Sequence, residues 1–129
     1  MIKKNLFFGI LGVLLLSLFG FKFSNEPSKS SATEMPEEVS AIVQNKCFGC
    51  HNTDSRNNKA KEKLDFKLLE SLGGPDKVHI LRDMGDVLKD DEMPPKKFLD
   101  RNPDKALTKD ERKTLMNWAK KEAKSAMKE

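Results

Sequence analysis

Tyrosine is absent from this chain, tryptophan occurs once, and 129 residues hold only two cysteines and two histidines. Five of the eight phenylalanines fall within the first 23 residues, so the aromatics beyond them are Phe48, Phe66, Phe98 and Trp118. A domain of roughly ninety residues with so few large apolar groups buries a thin core and is marginal unaided. The shortage of cysteine excludes a disulfide framework, because Cys47 and Cys50 would close a very short loop and the gain from a disulfide grows with loop length. A structural zinc site wants four Cys or His ligands. Cys47, Cys50, His51 and the distant His79 are the whole supply, and two of them are adjacent. The chain also has no Ser/His/Asp set, no phosphate-binding glycine loop and no second metal cluster.

What is present is concentrated. Residues 47–51 read Cys-Phe-Gly-Cys-His and use both cysteines and one of the two histidines. That spacing is the attachment signature of c-type haem: each thiol adds to one vinyl group, and the adjoining imidazole faces the iron as proximal ligand. A thioredoxin-like redox pair would sit in a βαβ context, and no alternating strand pattern precedes Cys47. The expected cofactor is therefore one covalently attached haem c, held by Cys47, Cys50 and His51. A buried porphyrin would supply the apolar bulk that the side chains lack.

The first residues point to export. Lys3 and Lys4 precede an uncharged apolar run from Leu6 to Phe21, with Lys22 after it. A basic end followed by an apolar core is an export segment whose basic end stays on the cytoplasmic side. Covalent haem is attached after export in bacteria, so segment and motif agree on the periplasmic face of the inner membrane. The run is sixteen residues long, between a signal-peptide core of about 7–15 and a spanning helix of about 20. The pairs Leu18/Gly20 and Lys22/Ser24 make poor cleavage sites, and no cysteine precedes Cys47 for lipoprotein processing. Residues 1–23 are thus a signal peptide or a membrane anchor, with the uncleaved anchor favoured. All twenty acidic residues lie beyond Ser24, and three of the 24 basic ones lie before it. The exported part therefore carries 21 basic against 20 acidic groups, and the basic pI gives no reason to expect a nucleic-acid partner.

Residues 24–35, rich in Ser, Pro and charge, read as a flexible linker with a reach of roughly 20 Å. Residues 36–129 form one domain without internal repeat. Pro36-Glu37-Glu38 opens a helix with acids at its positive end. Val39, Ile42 and Val43 then form a stripe that continues to Cys47. Asn52 to Lys63 carries no recognisable element, and Leu64 to Leu72 suggests a short helix. Pro75 opens a longer helix with Val78, Leu81, Met84 and Leu88 on one stripe, widened by Ile80 and Val87 and broken at Asp90-Asp91-Glu92. Thr108 and Glu111 form a capping box for the last helix, whose buried face is Leu115, Trp118 and Ala119 with Ala123 and Ala126. Lys120, Lys121, Lys124 and Lys128 suit its negative end and form a solvated face.

Met93-Pro94-Pro95 is the second chemical feature. A thioether is a good ligand for low-spin haem iron, and two prolines hold the chain in a defined loop that presents it. Met93 is the favoured distal ligand; His79 and Met84, both within the long helix, are the alternatives.

In these pieces the chain resembles a small monohaem cytochrome c, closest to the bacterial haem-binding-domain family of the class I type. VSAIVQNKCFGCH, DEMPP and LTKDERKTLMNWAKK occur in that family's order and cover about residues 36–124. The resemblance implies an all-α cytochrome c-like domain of about three to five helices around the haem. Cys47 and Cys50 would carry the thioethers, His51 would be proximal and Met93 distal, with the first and last helices crossing beside the haem. Class I cytochromes commonly orient the proximal imidazole with the carbonyl of a proline soon after the motif. No proline lies between His51 and Pro75, so the sequence does not identify the partner of His51. The polar stretch Arg56–Lys63 would leave one haem edge exposed.

The expected function is single-electron transfer between redox partner proteins, not enzymatic turnover, with the inner membrane as the other partner. A small peroxidase would need a free acid–base group, for which His79 is the only histidine left. A haem-based gas sensor would need a labile Met93.

Overall fold

The computed structural model describes residues 35–128. The reading of 1–23 as leader, and that of 24–35 as linker up to Met35, lie outside the described residues. Within them the chain is all α, with five α-helices, two short 3-10 turns and no strand.

Helix α1 (Glu37–Lys46) starts directly after Pro36, whose extended backbone (φ −52°, ψ 142°) makes it the residue before the helix. Glu37 and Glu38 sit at the positive end of the dipole and Lys46 at the negative end. Val39, Ile42 and Val43 are buried as the stripe requires. Helix α2 (Asn58–Lys63) falls in the stretch expected to be irregular. It buries nothing, so apolar periodicity could not have announced it. Its signal is Asn57, whose side chain accepts the Ala60 amide at 3.2 Å and caps the helix. Leu64 to Leu72 is not a continuous helix: Leu64 is extended, and a 3-10 turn (Leu69–Ser71) follows. Phe66 and Leu69 are buried, while Leu68 points outward.

Helix α3 (Gly74–Lys89) has Pro75 in its first turn and buries Leu81, Met84 and Leu88. Beyond it, Glu92 N–H donates to Val87 O at 2.9 Å and Asp91 N–H to Leu88 O at 3.4 Å. This is the paired closure of a Schellman motif. Asp91 occupies the left-handed position with φ 58°, where glycine is usual and Asp is one of the better tolerated substitutes. Arg112 supports the turn by donating to Leu88 O at 2.7 Å and pairing with the Asp91 carboxylate. Helix α4 (Lys96–Leu99) is a single turn, and a 3-10 turn (Pro103–Lys105) leads to α5 (Lys109–Ala126). Thr108 and Glu111 make both bonds of the capping box, at 3.1 and 2.8 Å.

Helices α3 and α5 run antiparallel. Gly74 lies against Ala126 at one end, and Arg112 reaches Leu88 at the other. Helix α1 lies on another side of α5, with Thr114 donating to Glu38 at 3.4 Å. Lys46 donates to Asp104 O at 2.6 Å and Lys105 to Asn45 at 2.9 Å, which ties the end of α1 to the turn before α5. The first and last helices therefore pack together, but the larger part of α5's buried face is spent on α3. The common core combines Val39, Ile42, Val43, Phe66, Leu69, Leu81, Met84, Leu88, Leu115, Trp118, Ala119 and Ala123.

The closeness of α3 and α5 gives a paired test. A Cβ on Gly74 would lie 2.7 Å from Ala126 O, whereas one on Gly85 would meet nothing within 4 Å. Gly74→Ala is expected to cost about 1–3 kcal/mol by forcing the helices apart. Gly85→Ala, in a helix interior, should be neutral or stabilise by up to about 1 kcal/mol. Urea unfolding of both variants checks this, and equal midpoints for the two would contradict the packing described.

Candidate functional site

The end of α1 delivers the two thiols and the imidazole within one turn. Cys47 N–H and Phe48 N–H both donate to Val43 O, at 2.9 and 2.8 Å. Cys50 N–H and His51 N–H both donate to Cys47 O at 3.1 Å. The chain thus coils once around the Cys47 carbonyl, which places Cys47, Cys50 and His51 on one turn. Both cysteines are free thiols and half-buried. Burial pushes the Cys47 thiol up to about 11, helped by the neighbouring Cys50 and by the Glu111 carboxylate at the start of α5.

His51 is held from three directions by the segment expected to be a helix. Its Nδ1 lies 3.0 Å from Leu64 O. A carbonyl oxygen only accepts, so Nδ1 carries the proton and, in the neutral ring, Nε2 keeps its lone pair. Phe66 N–H donates to His51 O at 3.1 Å, and the Phe66 ring stands edge-on to the imidazole at 6.4 Å and 82°. The partner that the sequence left unidentified is therefore a backbone carbonyl thirteen residues downstream, exposed for bonding because Leu64 is extended. Nε2 has no hydrogen bond among the described residues.

Two buried polar side chains that the sequence reading passed over support this turn. Asn52 donates to Phe48 O inside the motif and accepts the Asp54 amide beyond it at 2.8 Å, tying the motif turn to the segment that follows. Asp65 accepts from the Thr53 hydroxyl at 2.8 Å and from Lys67 N–H at 2.9 Å. Their signal was available as Asx-turn chemistry, with Asn52 two residues before Asp54 and Asp65 two before Lys67, but no hydrophobic period carries it.

Met93 follows the Schellman turn directly and is half-buried against the same core as Cys47, Phe48 and Leu64. Met84 is buried in that core on α3. His79 points away: its side chain is 76% exposed and lies 3.5 Å from Asp83 one turn on. The structure thus brings Cys47, Cys50 and His51 together, sets Met93 at the edge of their core, and leaves His79 in solvent. No group of three or more His, Cys, Asp or Glu side chains forms a metal cage among the described residues. Trp118, on α5, has a buried Nε1–H without a partner among the described residues, an arrangement costing about 1–3 kcal/mol if it stays unmet.

The raised Cys47 value predicts a pH dependence in chain produced without haem attachment, provided circular dichroism shows it helical. The neutral thiol is the form favoured on folding. Its stabilising effect is therefore complete below the ordinary value of 9.0 and lost as pH rises towards about 11. Alkylation of Cys47 by iodoacetamide, followed by peptide mass spectrometry, should climb towards pH 11, and a rise centred on 9 would contradict the burial.

Comparison with known proteins adds one finding. No curated protein and no solved structure matches the chain. A family model described as a haem-binding domain matches residues 54–121, more than half of the chain. The matched span begins beyond His51 and contains Leu64, Met93 and Trp118. The chain belongs to the haem-binding-domain family, and it is a haem protein.

Proposed function

We propose that this haem protein is a monohaem c-type cytochrome that carries single electrons between redox partner proteins on the periplasmic side of the inner membrane. The observation that carries the reading is the tautomer of His51. With Nδ1–H held by Leu64 O, the nitrogen left to bind iron is Nε2, on a ring already fixed by Phe66. Such a carbonyl partner is the usual device for orienting a metal-binding imidazole. The donor set fits haem c: two free thiols in the motif spacing and an imidazole of defined tautomer. When bound, haem supplies a one-electron ferrous–ferric couple. Cys47 and Cys50 would hold it covalently, His51 would bind one face, and Met93 would offer its thioether to the other.

The role proposed is that of a carrier and not an enzyme. A peroxidase needs a positioned acid–base group, and His79 faces solvent beside Asp83. The half-buried Met93, set between the Arg112-braced turn and Pro94-Pro95, suits a ligand that stays in place through both oxidation states.

Absorption spectra of the oxidised and reduced protein, made with haem-maturation machinery, test this reading. A haem-stained band surviving denaturing electrophoresis is expected, and Cys47→Ala or Cys50→Ala should cripple maturation. Met93→Ala should keep covalent haem, lose the methionine–iron charge-transfer band and bind carbon monoxide. Met84→Leu should keep the band and cost under about 1.5 kcal/mol. Loss of the band in Met84→Leu with its survival in Met93→Ala would reverse the assignment.

The membrane attachment belongs to the same proposal. No helix of the described residues is long and apolar enough to cross a membrane, so an anchor rests on the apolar run before Lys22. Tethering would hold the haem domain within a few nanometres of membrane-bound redox partners and raise their effective concentration. Intact mass and fractionation from the native host decide it. Full-length chain in the inner-membrane fraction is expected, and a soluble protein beginning anywhere between residues 18 and 36 would replace the anchor by a cleaved signal.

A further inference from the structure

The Leu64 carbonyl lies in the peptide plane that joins Leu64 to Asp65. Its direction therefore depends on the backbone angles on either side of that plane, and so on whatever holds Asp65 in place. Asp65 is held through both carboxylate oxygens. Oδ1 accepts Lys67 N–H at 2.9 Å, a local bond that starts the turn leading to Leu69. Oδ2 accepts the Thr53 hydroxyl at 2.8 Å, a bond reaching twelve residues back to the segment just after His51. Capping the turn requires only the first bond. The second joins a buried carboxylate to the hydroxyl of an exposed residue that could equally have faced water.

These contacts make a clip of three bonds between 51–53 and 64–66. His51 Nδ1–H donates to Leu64 O, Phe66 N–H donates to His51 O, and Thr53 donates to Asp65. The loop after His51 has separate support, since Lys61 donates to Thr53 O at 3.3 Å and Ser55 O at 3.1 Å, and Lys67 pairs with Asp54. Folding of the loop therefore does not rest on the Thr53 hydroxyl.

We propose that Thr53 and Asp65 are positioning residues that aim the Leu64 carbonyl at His51 Nδ1–H and thereby set the donor strength of the proximal imidazole. The proposal rests on the reading of His51 as an iron ligand. A well-aimed carbonyl draws the Nδ1 proton, makes the ring a stronger base at Nε2, and favours the ferric state, which carries the greater positive charge. Loosening the clip weakens that bond and shifts the couple towards ferrous.

The test uses the haem-loaded protein in four forms: wild type, Thr53→Val, Thr53→Ser and Lys61→Met. Thr53→Val removes only the hydroxyl at nearly constant shape, and Thr53→Ser restores it. Lys61→Met removes a loop tie to the Thr53 and Ser55 main-chain carbonyls and leaves the Thr53 hydroxyl and Asp65 untouched. At a fixed applied potential, Thr53→Val should raise the ferrous-to-ferric ratio several-fold, and His51 Nδ1–H should exchange with solvent several-fold faster by NMR. Thr53→Ser should return both readouts to wild type, and Lys61→Met should leave them there. Unchanged ratio and exchange in Thr53→Val would overturn the proposal, as would equal shifts in Lys61→Met, which would make the clip a general loop support. Wild-type protein without covalent haem would overturn the reading of the site, and the proposal with it. Covalent haem with an unmoved ratio and unmoved exchange would overturn the proposal alone.

Discussion

The antiparallel seating of α3 on α5 is the constraint on which the other elements depend. At one end Gly74 admits the Ala126 carbonyl without a side chain between them, and the buried residues Ala119 and Ala123 keep α5's inner face small. At the other end Arg112 reaches across to Leu88 O and Asp91. That second end fixes where the chain leaves α3, and hence where Met93 emerges. The far side of α5 takes α1 through Thr114 and Glu38, while the turn before α5 grips Asn45 and Lys46. Both segments that carry the proposed ligands, the motif after α1 and the loop after α3, are thus referred to α5, although no proposed ligand lies on it.

Arg112 shows how a polar contact can carry a structural task that a thin core cannot. Asp91 in the left-handed region is disfavoured, by about 1–2 kcal/mol on the helical scale. A charged donor bonded to a carbonyl of the same turn offsets a cost of that order. The surface ion pair alone would contribute little, since Asp91 is largely exposed. The bond to the Leu88 carbonyl does more, because it adds a charged donor at 2.7 Å to a helix-end carbonyl that the Asp91 amide reaches only at 3.4 Å. The turn therefore keeps a non-glycine residue at a position that glycine usually takes.

How much of this was legible follows from the kind of signal each part leaves. The stripes of α1, α3 and α5 could be read because burial repeats every three or four residues, and the capping box because its two residues have fixed spacing. Helix α2 buries nothing and was missed for that reason. Leu64 to Leu72 has enough leucine to imitate a helix, but Asp65 bonds its own downstream amide and breaks the segment into a turn and a 3-10 piece. Glu122, which is buried on α5, was missed because a face drawn from apolar residues leaves out a carboxylate, even one aligned with Trp118 and Ala126. Cys47, Cys50, His51 and Met93 were named from the motif and the Met-Pro-Pro loop; the partner of His51 was not.

That omission has a physical origin. The atom that meets His51 is a main-chain oxygen, which any residue could supply, so the identity of Leu64 says nothing about the bond. What the sequence does encode is the conformation that turns the oxygen towards the ring: an Asp one residue later that starts a turn, and a Thr two residues after the histidine that reaches that Asp. A proline placed soon after the motif would supply a comparable carbonyl with a preset backbone angle. This chain reaches the same contact through side-chain hydrogen bonds, which can be strengthened or weakened one at a time. The geometry of the imidazole is then adjustable by changes at exposed positions such as Thr53, without disturbing the packing of α3 on α5.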